Sequence, residues 1–299
     1  VSTAAYQIEG AVQEGGRGRS IWDKFAHTPG KIRNNENVDI ACDHYHRLEE
    51  DLGLIANLVR NYRFSISWSR ILSNGDGETN PDGIAFYNRL IDGLIERGVT
   101  PWVTMYHWDL PQTLQDKGGW ENRDILSWFE RYAQALSDNF GDRVKNWIIL
   151  NEPSVHSWLG HGLGFHAPGF ADEESYLTCV HHQNLVIGRT FRQMKAFNAD
   201  YNVGSAYTMV PILPDINVRD EEVIAIMDAF WNRNFFDPLM LGSYPKNFAD
   251  VMARYIHDED MGVCKTKLDF IGMQHYNAIE AKPDETRIFG TFFGEKDPT

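Results

Sequence analysis

The chain has 299 residues, of which 42% are hydrophobic and 23% charged, and its formal net charge is −14. This length and composition are typical of a globular protein with one large domain or two small ones. The acidic balance disfavours a phosphate backbone as a ligand, so we expect no nucleic acid partner. A membrane partner is not expected either, because the sequence has no run of about 18 apolar residues.

The cysteines and the N-terminus bear on redox chemistry and location. Cys42, Cys179 and Cys264 are odd in number and widely spaced, which argues against a disulfide framework and against a Cys-x-x-Cys metal pair. His44 and His46 stand two residues apart and would not share one face of a helix, so we expect no metal site there. No signal peptide is visible, and the simplest expectation is a cytoplasmic protein.

Short β-rich runs alternate along the chain with longer segments of helical apolar spacing. The predicted strands are Asn61–Ile66, Thr100–Met105, Lys145–Leu150, Asn202–Tyr207 and Asp269–His275. The predicted helices are Asp82–Arg97, Asp124–Phe140, Glu173–Phe197, Asp220–Phe235 and Pro245–His257. Alternation of this kind predicts an α/β fold with a parallel sheet and helical crossovers.

An open doubly wound sheet and a closed (β/α)8 TIM barrel both fit this alternation. No glycine-rich nucleotide motif follows the early strands, which removes the main support for nucleotide binding. Polar and aromatic residues instead follow several strands, as expected where a barrel gathers its strand ends around one site. With a partial first strand before Tyr6, we count about six of the eight strands of a barrel. We therefore predict one barrel domain over residues 1–299, incomplete at its C-terminal end.

The segment after Lys145–Leu150 carries the first candidate for chemistry. An apolar strand ends in Asn151 and Glu152, and Pro153 then stops the strand pairing. A carboxyl group beside an apolar wall has a raised pKa, and a general acid needs such a pKa at neutral pH. The alternative interpretation is that Glu152 caps a helix or forms a salt bridge.

Three further stretches of the sequence carry candidate site residues. His107 and Trp108 follow a strand and offer a hydrogen-bond donor beside an apolar ring, although both could simply pack under a loop. The Gln7 amide can donate to and accept from adjacent hydroxyls, although an exposed glutamine is the simpler interpretation. Arg63 interrupts an apolar strand and therefore predicts an anionic partner, either in a site or in a structural salt bridge.

Together these motifs closely resemble the family 1 glycoside hydrolases. The matching stretches follow the order of that family and span nearly the whole chain. They are Ser2–Gly10, Arg19–Asp23, Ala41–Tyr45, Tyr62–Trp68, Phe86–Asn88, His107–Pro111, Asn151–Pro153, His166–Gly169 and Asp269–Gly272.

The resemblance implies a (β/α)8 barrel that hydrolyses β-glycosides with retention of configuration and needs no cofactor. It implies a β-glucosidase acting on terminal non-reducing β-D-glucosyl residues of small β-glucosides or cello-oligosaccharides. Glu152 matches the acid/base of the family. Gln7, His107 and Asn151 match residues that hydrogen-bond the sugar, and Trp108 lines the same pocket. In addition, Arg63 and Tyr276 match the two groups that contact the nucleophile.

Departures from the family pattern limit this expectation. Gln274-His275-Tyr276 replaces the usual Asn-Tyr-Tyr, and neither the opening strand of the family nor its Thr-Glu-Asn-Gly nucleophile segment occurs in the 299 residues. We therefore expect a chain truncated at both ends, with little or no activity, and exposed sheet edges that allow self-association. The alternatives are a β-galactosidase, a β-fucosidase, a 6-phospho-β-glucosidase or, from another class, a non-catalytic sugar-binding fragment or module.

Overall fold

The structure, a computed structural model, describes residues 1–214 and 220–293. These residues form two compact units. The first unit comprises Val1–Asn151, Arg189–Ser205 and Leu268–Phe270. The second comprises Glu152–Gly188, Ala206–Lys267 and the described part of Ile271–Thr299. The predicted domain limits, 1–299, extend past the described residues.

The elements lie close to the positions that the sequence predicts. The strands are β1 Asn61–Ser65, β2 Thr100–Tyr106, β3 Asn146–Asn151, β4 Asn202–Thr208, β5 Ile212–Pro214, β6 Phe270–Gln274, β7 Ile279–Pro283 and β8 Thr291–Phe293. The α-helices are α1 Ala5–Ile8, α2 Ile21–Ala26, α3 Leu48–Leu58, α4 Trp68–Ile71, α5 Pro81–Glu96, α6 Gln112–Gln115, α7 Ile125–Phe140, α8 Pro153–Val155, α9 Glu173–Phe197, α10 Glu221–Asp228, α11 Asn234–Met240, α12 Lys246–Met252 and α13 Asp260–Cys264. Two π-helices, His156–Gly162 and Ala229–Arg233, are also present.

A parallel sheet with strands in sequence order organises the first unit. β1 pairs with β2 and β2 with β3, and the beginnings of β4 and β6 continue the order β1-β2-β3-β4-β6. The partial first strand appears as a parallel bridge between Ser2 and Arg63, extended by the Thr3 N–H donating to the Arg63 carbonyl at 3.0 Å. An order without reversal favours the barrel over a doubly wound sheet, in which the order turns back at a switch point.

The helices of the first unit pack apolar faces against this sheet. The buried face of α5 carries Phe86, Leu90, Ile91 and Leu94 at three- and four-residue spacing. This helix begins at Pro81, one residue before the predicted start, because Asn80 caps it and proline suits the first helical position. The sequence analysis did not predict α3, although Leu48, Leu52 and Ile55 form its buried face.

The second unit packs around stacked aromatic rings, with Trp158 and Phe230 centroids 4.1 Å apart. The predicted helix over Asp220–Phe235 is α10, a π-helix and α11 in succession, ending at Met240. This unit also holds a small sheet that the sequence analysis did not predict. In it β5 pairs parallel with β7, and β7 pairs antiparallel with β8.

Two structural findings bear on the predictions from composition. The three cysteines, all within the described ranges, form no disulfide with one another. Across residues 1–214 and 220–293, no helix combines the length and apolar character that a membrane crossing requires.

Candidate functional site

Asn151 is the centre of a hydrogen-bonded cluster in the first unit. It is the last residue of β3 and is buried. Its Nδ2 atom lies 3.0 Å from Nε2 of His107, and the indole N–H of Trp108 donates to its carbonyl oxygen at 2.7 Å. His107 and Trp108 directly follow β2. The structure thus brings together three residues that the sequence predicted for one sugar-binding site.

Arg63 joins the same cluster from β1. Its Nη2 donates to Oδ1 of Asn151, and its Nε donates to Oγ1 of Thr104 at 2.9 Å. The side chain is half-buried, and these two contacts are to neutral oxygens. Oδ1 and Nδ2 of Asn151 thereby face different partners, so the amide plane is held from both sides. The sequence analysis did not single out Thr104, whose hydroxyl helps to hold the guanidinium.

The surroundings of His107 keep its imidazole neutral. Burial, together with the positive charge of Arg63, lowers the pKa of His107 to about 3. Because the Asn151 amide nitrogen can only donate, Nε2 of His107 is the acceptor, and the ring proton lies on Nδ1. That Nδ1 is buried and has no hydrogen-bond partner among the described residues. The ring therefore offers an unused donor.

Gln7 stands apart from this cluster in its contacts. It lies in α1, which follows the segment bridged to β1, and the Ala5 N–H donates to Oγ of Ser65 at 2.7 Å. This pairing places α1 after the carboxyl end of β1, while the Gln7 side chain is exposed. Within residues 1–214 and 220–293, no hydrogen bond joins Gln7 to His107 or Asn151. Its sugar contact therefore stays a prediction.

Glu152 follows Asn151 in the chain and opens the second unit. Its side chain is buried, and its backbone is left-handed, with φ 46° and ψ 61°. The Glu152 N–H donates to the Ala206 carbonyl at 2.8 Å, and its carbonyl accepts from the His156 N–H at 3.1 Å. A non-glycine residue in this conformation is strained, and such strain is concentrated at functional sites. The strand end thus positions the carboxyl group at an energetic cost.

Tyr276 also lies in the second unit, in the loop after β6. Its side chain is 74% exposed. The end of β6 is fixed to the segment after β4, because the Met209 N–H donates to the Gln274 carbonyl at 2.9 Å and Nδ1 of His275 lies 2.9 Å from the Met209 carbonyl. The predicted contact of Tyr276 with a nucleophile is not tested by this geometry.

Two positions near the predicted motifs add to the sequence analysis. Burial raises the pKa of Asp109 to about 8, so this carboxyl group is mostly protonated at neutral pH. Its place in the His107–Pro111 motif is the only signal that the sequence offers. His44 and His46, for which the sequence analysis expected no metal site, contact carboxylates. Nδ1 of His44 lies 2.6 Å from Asp51, and His46 lies between Asp43 and Glu14.

Comparison with known proteins identifies the family. The sequence profile of glycosyl hydrolase family 1 matches residues 1–292. The chain is 42% identical to β-glucosidase A of Thermotoga maritima, over 99% of this chain and 68% of that protein. It is 44% identical to β-glucosidase 42 of Arabidopsis thaliana, over 93% of this chain and 59% of that protein. The chain therefore spans about two thirds, or less, of the length of these relatives.

A solved structure gives the same result for the fold. The Thermotoga maritima β-glucosidase in complex with glucoimidazole matches with a TM-score of 0.91 and 42% identity, over 99% of this chain and 68% of that one. The predicted TIM-barrel fold class is thereby confirmed.

Replacing His107 is expected to reduce the acid sensitivity of the fold. Its pKa in the folded chain, about 3, lies below the ordinary value of 6.5, so between these values the unfolded chain binds more protons. The free energy of unfolding therefore falls as the pH drops below about 6.5. His107→Gln should lower this slope by up to about 1.4 kcal/mol per pH unit, in urea unfolding from pH 7 to pH 4.

His27→Gln is the matched control for this experiment. Hydrogen bonding to the Asp23 carbonyl raises the pKa of His27, so its contribution is present at low pH and is lost as the pH rises through the folded value. Its removal should make the slope steeper rather than shallower. An unchanged slope in His107→Gln would contradict the assignment of a neutral, buried imidazole.

The left-handed backbone of Glu152 makes glycine and alanine unequal replacements. Glu152→Gly should be more stable than Glu152→Ala by about 1 kcal/mol, because glycine adopts positive φ without steric cost. Denaturant unfolding of both variants measures the difference. Glu130, within α7, provides the control, because there the order should reverse by about 1 kcal/mol in favour of alanine. Equal stabilities at position 152 would show that its backbone is not strained.

Proposed function

We propose that this chain, which belongs to glycosyl hydrolase family 1, carries the sugar-binding and acid/base residues of a retaining β-glucosidase. The observation that carries the proposal is the cluster of Arg63, His107 and Asn151, with the buried carboxyl group of Glu152 next along the chain. We also propose that the chain forms a single catalytic barrel domain, as the sequence predicts.

Asn151 is proposed to hold the sugar 2-hydroxyl. Its amide is fixed by Arg63 and His107 before any substrate arrives, so little orientational freedom is lost on binding. A hydrogen bond to the 2-hydroxyl strengthens as the sugar approaches an oxocarbenium-like transition state. A preoriented amide therefore favours the transition state over the bound substrate. The His107 N–H, the Trp108 ring and the Gln7 amide are proposed to complete the recognition of the sugar.

Glu152 is proposed to act as the acid and then as the base. In the first step it protonates the glycosidic oxygen while a second carboxylate attacks the anomeric carbon, with the two carboxyl groups about 5–5.5 Å apart. In the second step it takes a proton from the water that cleaves the glycosyl-enzyme. Arg63 and Tyr276 are proposed to orient the second carboxylate. The Thr-Glu-Asn-Gly segment expected to carry it is not among the 299 residues.

Glucosides are the substrate class that the comparisons support. Relatives are named β-glucosidase or 1,4-β-D-glucan glucohydrolase, and the Thermotoga maritima enzyme has been solved with glucoimidazole and with deoxynojirimycin. We propose small β-glucosides and cello-oligosaccharides for this chain, with other β-glycosides as the alternative. Three expectations from the sequence stay predictions: a cytoplasmic location, the absence of a nucleic acid partner and self-association through sheet edges.

Sugar recognition is best tested by binding, which does not need a nucleophile. The 299-residue protein should bind deoxynojirimycin in isothermal titration calorimetry, and Asn151→Ala should weaken the affinity about tenfold or more, the equivalent of one good hydrogen bond. Asn146→Ala, at the opposite end of β3, should leave the affinity unchanged. An equal loss in both variants would indicate damage to the strand, and an absence of binding by the folded wild type would contradict the proposed function.

Hydrolysis tests the role of Glu152. We expect turnover of nitrophenyl β-D-glucoside and of cellobiose at or near background, because the expected nucleophile segment is not in the sequence. Should turnover occur, Glu152→Ala should impair cellobiose cleavage more than nitrophenyl glucoside cleavage, since only the poor leaving group needs protonation. Glu280→Ala, at an exposed position of β7, is the control.

The outcomes of these two assays separate the candidate functions. Equal losses on both substrates would exclude Glu152 as the acid. Turnover that depends on Glu152 would mean that another carboxylate acts as the nucleophile. Binding without turnover, in a protein known to be full-length at 299 residues, would favour the non-catalytic sugar-binding module.

A further inference from the structure

Three potential metal ligands meet in the second unit, and none of them belongs to the cluster assigned to sugar binding. They are His156, His161 and Cys179, all buried. One ring nitrogen of each histidine and the Sγ of Cys179 lie within 4.8 Å of one another. Nδ1 of His156 is 3.9 Å from that sulfur, and the two imidazole centroids are 5.3 Å apart.

The π-helix His156–Gly162 explains why these histidines meet. A π-helix closes its turns between residues five apart, and the Leu163 N–H donates to the Trp158 carbonyl at 2.8 Å in that pattern. His156 and His161 have the same spacing and therefore lie on one side of the segment. Cys179 faces them from α9. In an ordinary α-helix, residues four apart rather than five would share a face.

The separation between His156 and Cys179 is close to that of two ligands in a tetrahedral zinc site, and all the ligand atoms lie within 4.8 Å of one another. Zinc binds imidazole nitrogen at about 2.0–2.1 Å and thiolate sulfur at about 2.3 Å, which puts tetrahedral nitrogen and sulfur ligands about 3.5 Å apart. The 3.9 Å between His156 and Cys179 needs to shrink by only a few tenths of an ångström. Two imidazoles and one thiolate form a ligand set that suits zinc better than calcium or magnesium.

One ring nitrogen of the cluster is open to a ligand. Nε2 of His161 is buried and has no hydrogen-bond partner in the described part of the chain. Cys179 would release its thiol proton on binding, so affinity should rise with pH.

Neighbouring side chains already orient the imidazole rings of both His156 and His161. Nδ1 of His161 lies 2.8 Å from the Ser175 hydroxyl, which leaves Nε2 for a metal. Nε2 of Gln183 lies 2.8 Å from Nδ1 of His156, and Oε1 of the same amide is buried without a partner among the described residues. If the Gln183 amide rotated by a half-turn, its oxygen would lie where its nitrogen now lies, next to Nδ1 of His156. Gln183 can thereby supply a fourth ligand.

We propose that His156, His161 and Cys179 bind one zinc ion, with the Gln183 amide oxygen completing the tetrahedron. This site is independent of the sugar-binding proposal, since it shares no residue with that cluster. The bound ion would fix the segment that follows Glu152, because the His156 N–H donates to the Glu152 carbonyl at 3.1 Å. Its role would be structural, as in closed sites with four protein ligands.

Metal content tests the proposal directly. The tag-free 299-residue protein, purified from cells grown with added zinc sulfate, should contain about one zinc ion per chain by mass spectrometry. Cys179→Ser and His161→Gln should each lose most of this zinc. Cys264→Ser, which removes another buried cysteine of the same unit, should retain it. Circular dichroism establishes that each variant is folded.

Cobalt substitution identifies the ligand. Protein refolded with cobalt(II) should show a thiolate-to-cobalt charge-transfer band in the wild type and in Cys264→Ser, but not in Cys179→Ser. Folded wild-type protein with negligible zinc and no such band would overturn the proposal. Zinc that persists in both Cys179→Ser and His161→Gln would overturn it as well, because the ion would then lie elsewhere. His161→Gln covers the case in which Cys179→Ser fails to fold.

Discussion

Parallel pairing of β1, β2 and β3 is the constraint on which the sugar-binding cluster depends. The strands run in one direction and neighbour each other in chain order, so their carboxyl ends meet at one edge of the sheet. His107 leaves the end of β2 and Asn151 the end of β3, while the long Arg63 side chain crosses from β1 past Thr104. A change of register by one residue would turn these side chains to the other face.

The charge of Arg63 favours the neutral form of His107. A protonated His107 would have two N–H donors and could not accept from the Asn151 amide. Burial of the ring disfavours that protonated form most, the nearby guanidinium disfavours it further, and together they lower the pKa of His107. Arg63 thus orients Asn151 in two ways, by donating to its oxygen and by keeping the acceptor for its nitrogen neutral. Replacement of this arginine by a neutral residue would disturb both contacts.

The sequence predicted the parallel sheet because its strands are apolar runs separated by clear helical periodicity. It predicted α9 to the residue and placed α7 to within one residue. It did not predict the π-helices, because a π turn and an α turn contain the same kinds of residue and differ only in which carbonyl accepts. The three-residue strands β5 and β8 are too short for an alternating pattern to be visible.

The candidate site was predictable to a similar degree. Asn151, His107 and Trp108 were found because strand-end motifs place polar groups where parallel strands finish. The partners of Arg63 were not, because an arginine in an apolar strand predicts an anionic partner, whereas the two contacts described for Arg63 are to neutral oxygens. Thr104 lies in the middle of a strand, and its neutral hydroxyl does not mark it as part of a site. His156 and His161 escaped notice because a five-residue spacing has no meaning for an α-helix.

Two positions of backbone strain lie where the chain leaves the sheet. Trp108 and Glu152 follow β2 and β3, and both have positive φ, 76° and 46°. Neither is glycine, so each conformation is maintained by its surroundings rather than by local preference. At Glu152 the next turn is proline-led, and the π-helix begins four residues later. A zinc ion bound to that π-helix would stabilise a segment that is otherwise costly, so the two proposals concern separate ligands but one strained stretch of backbone.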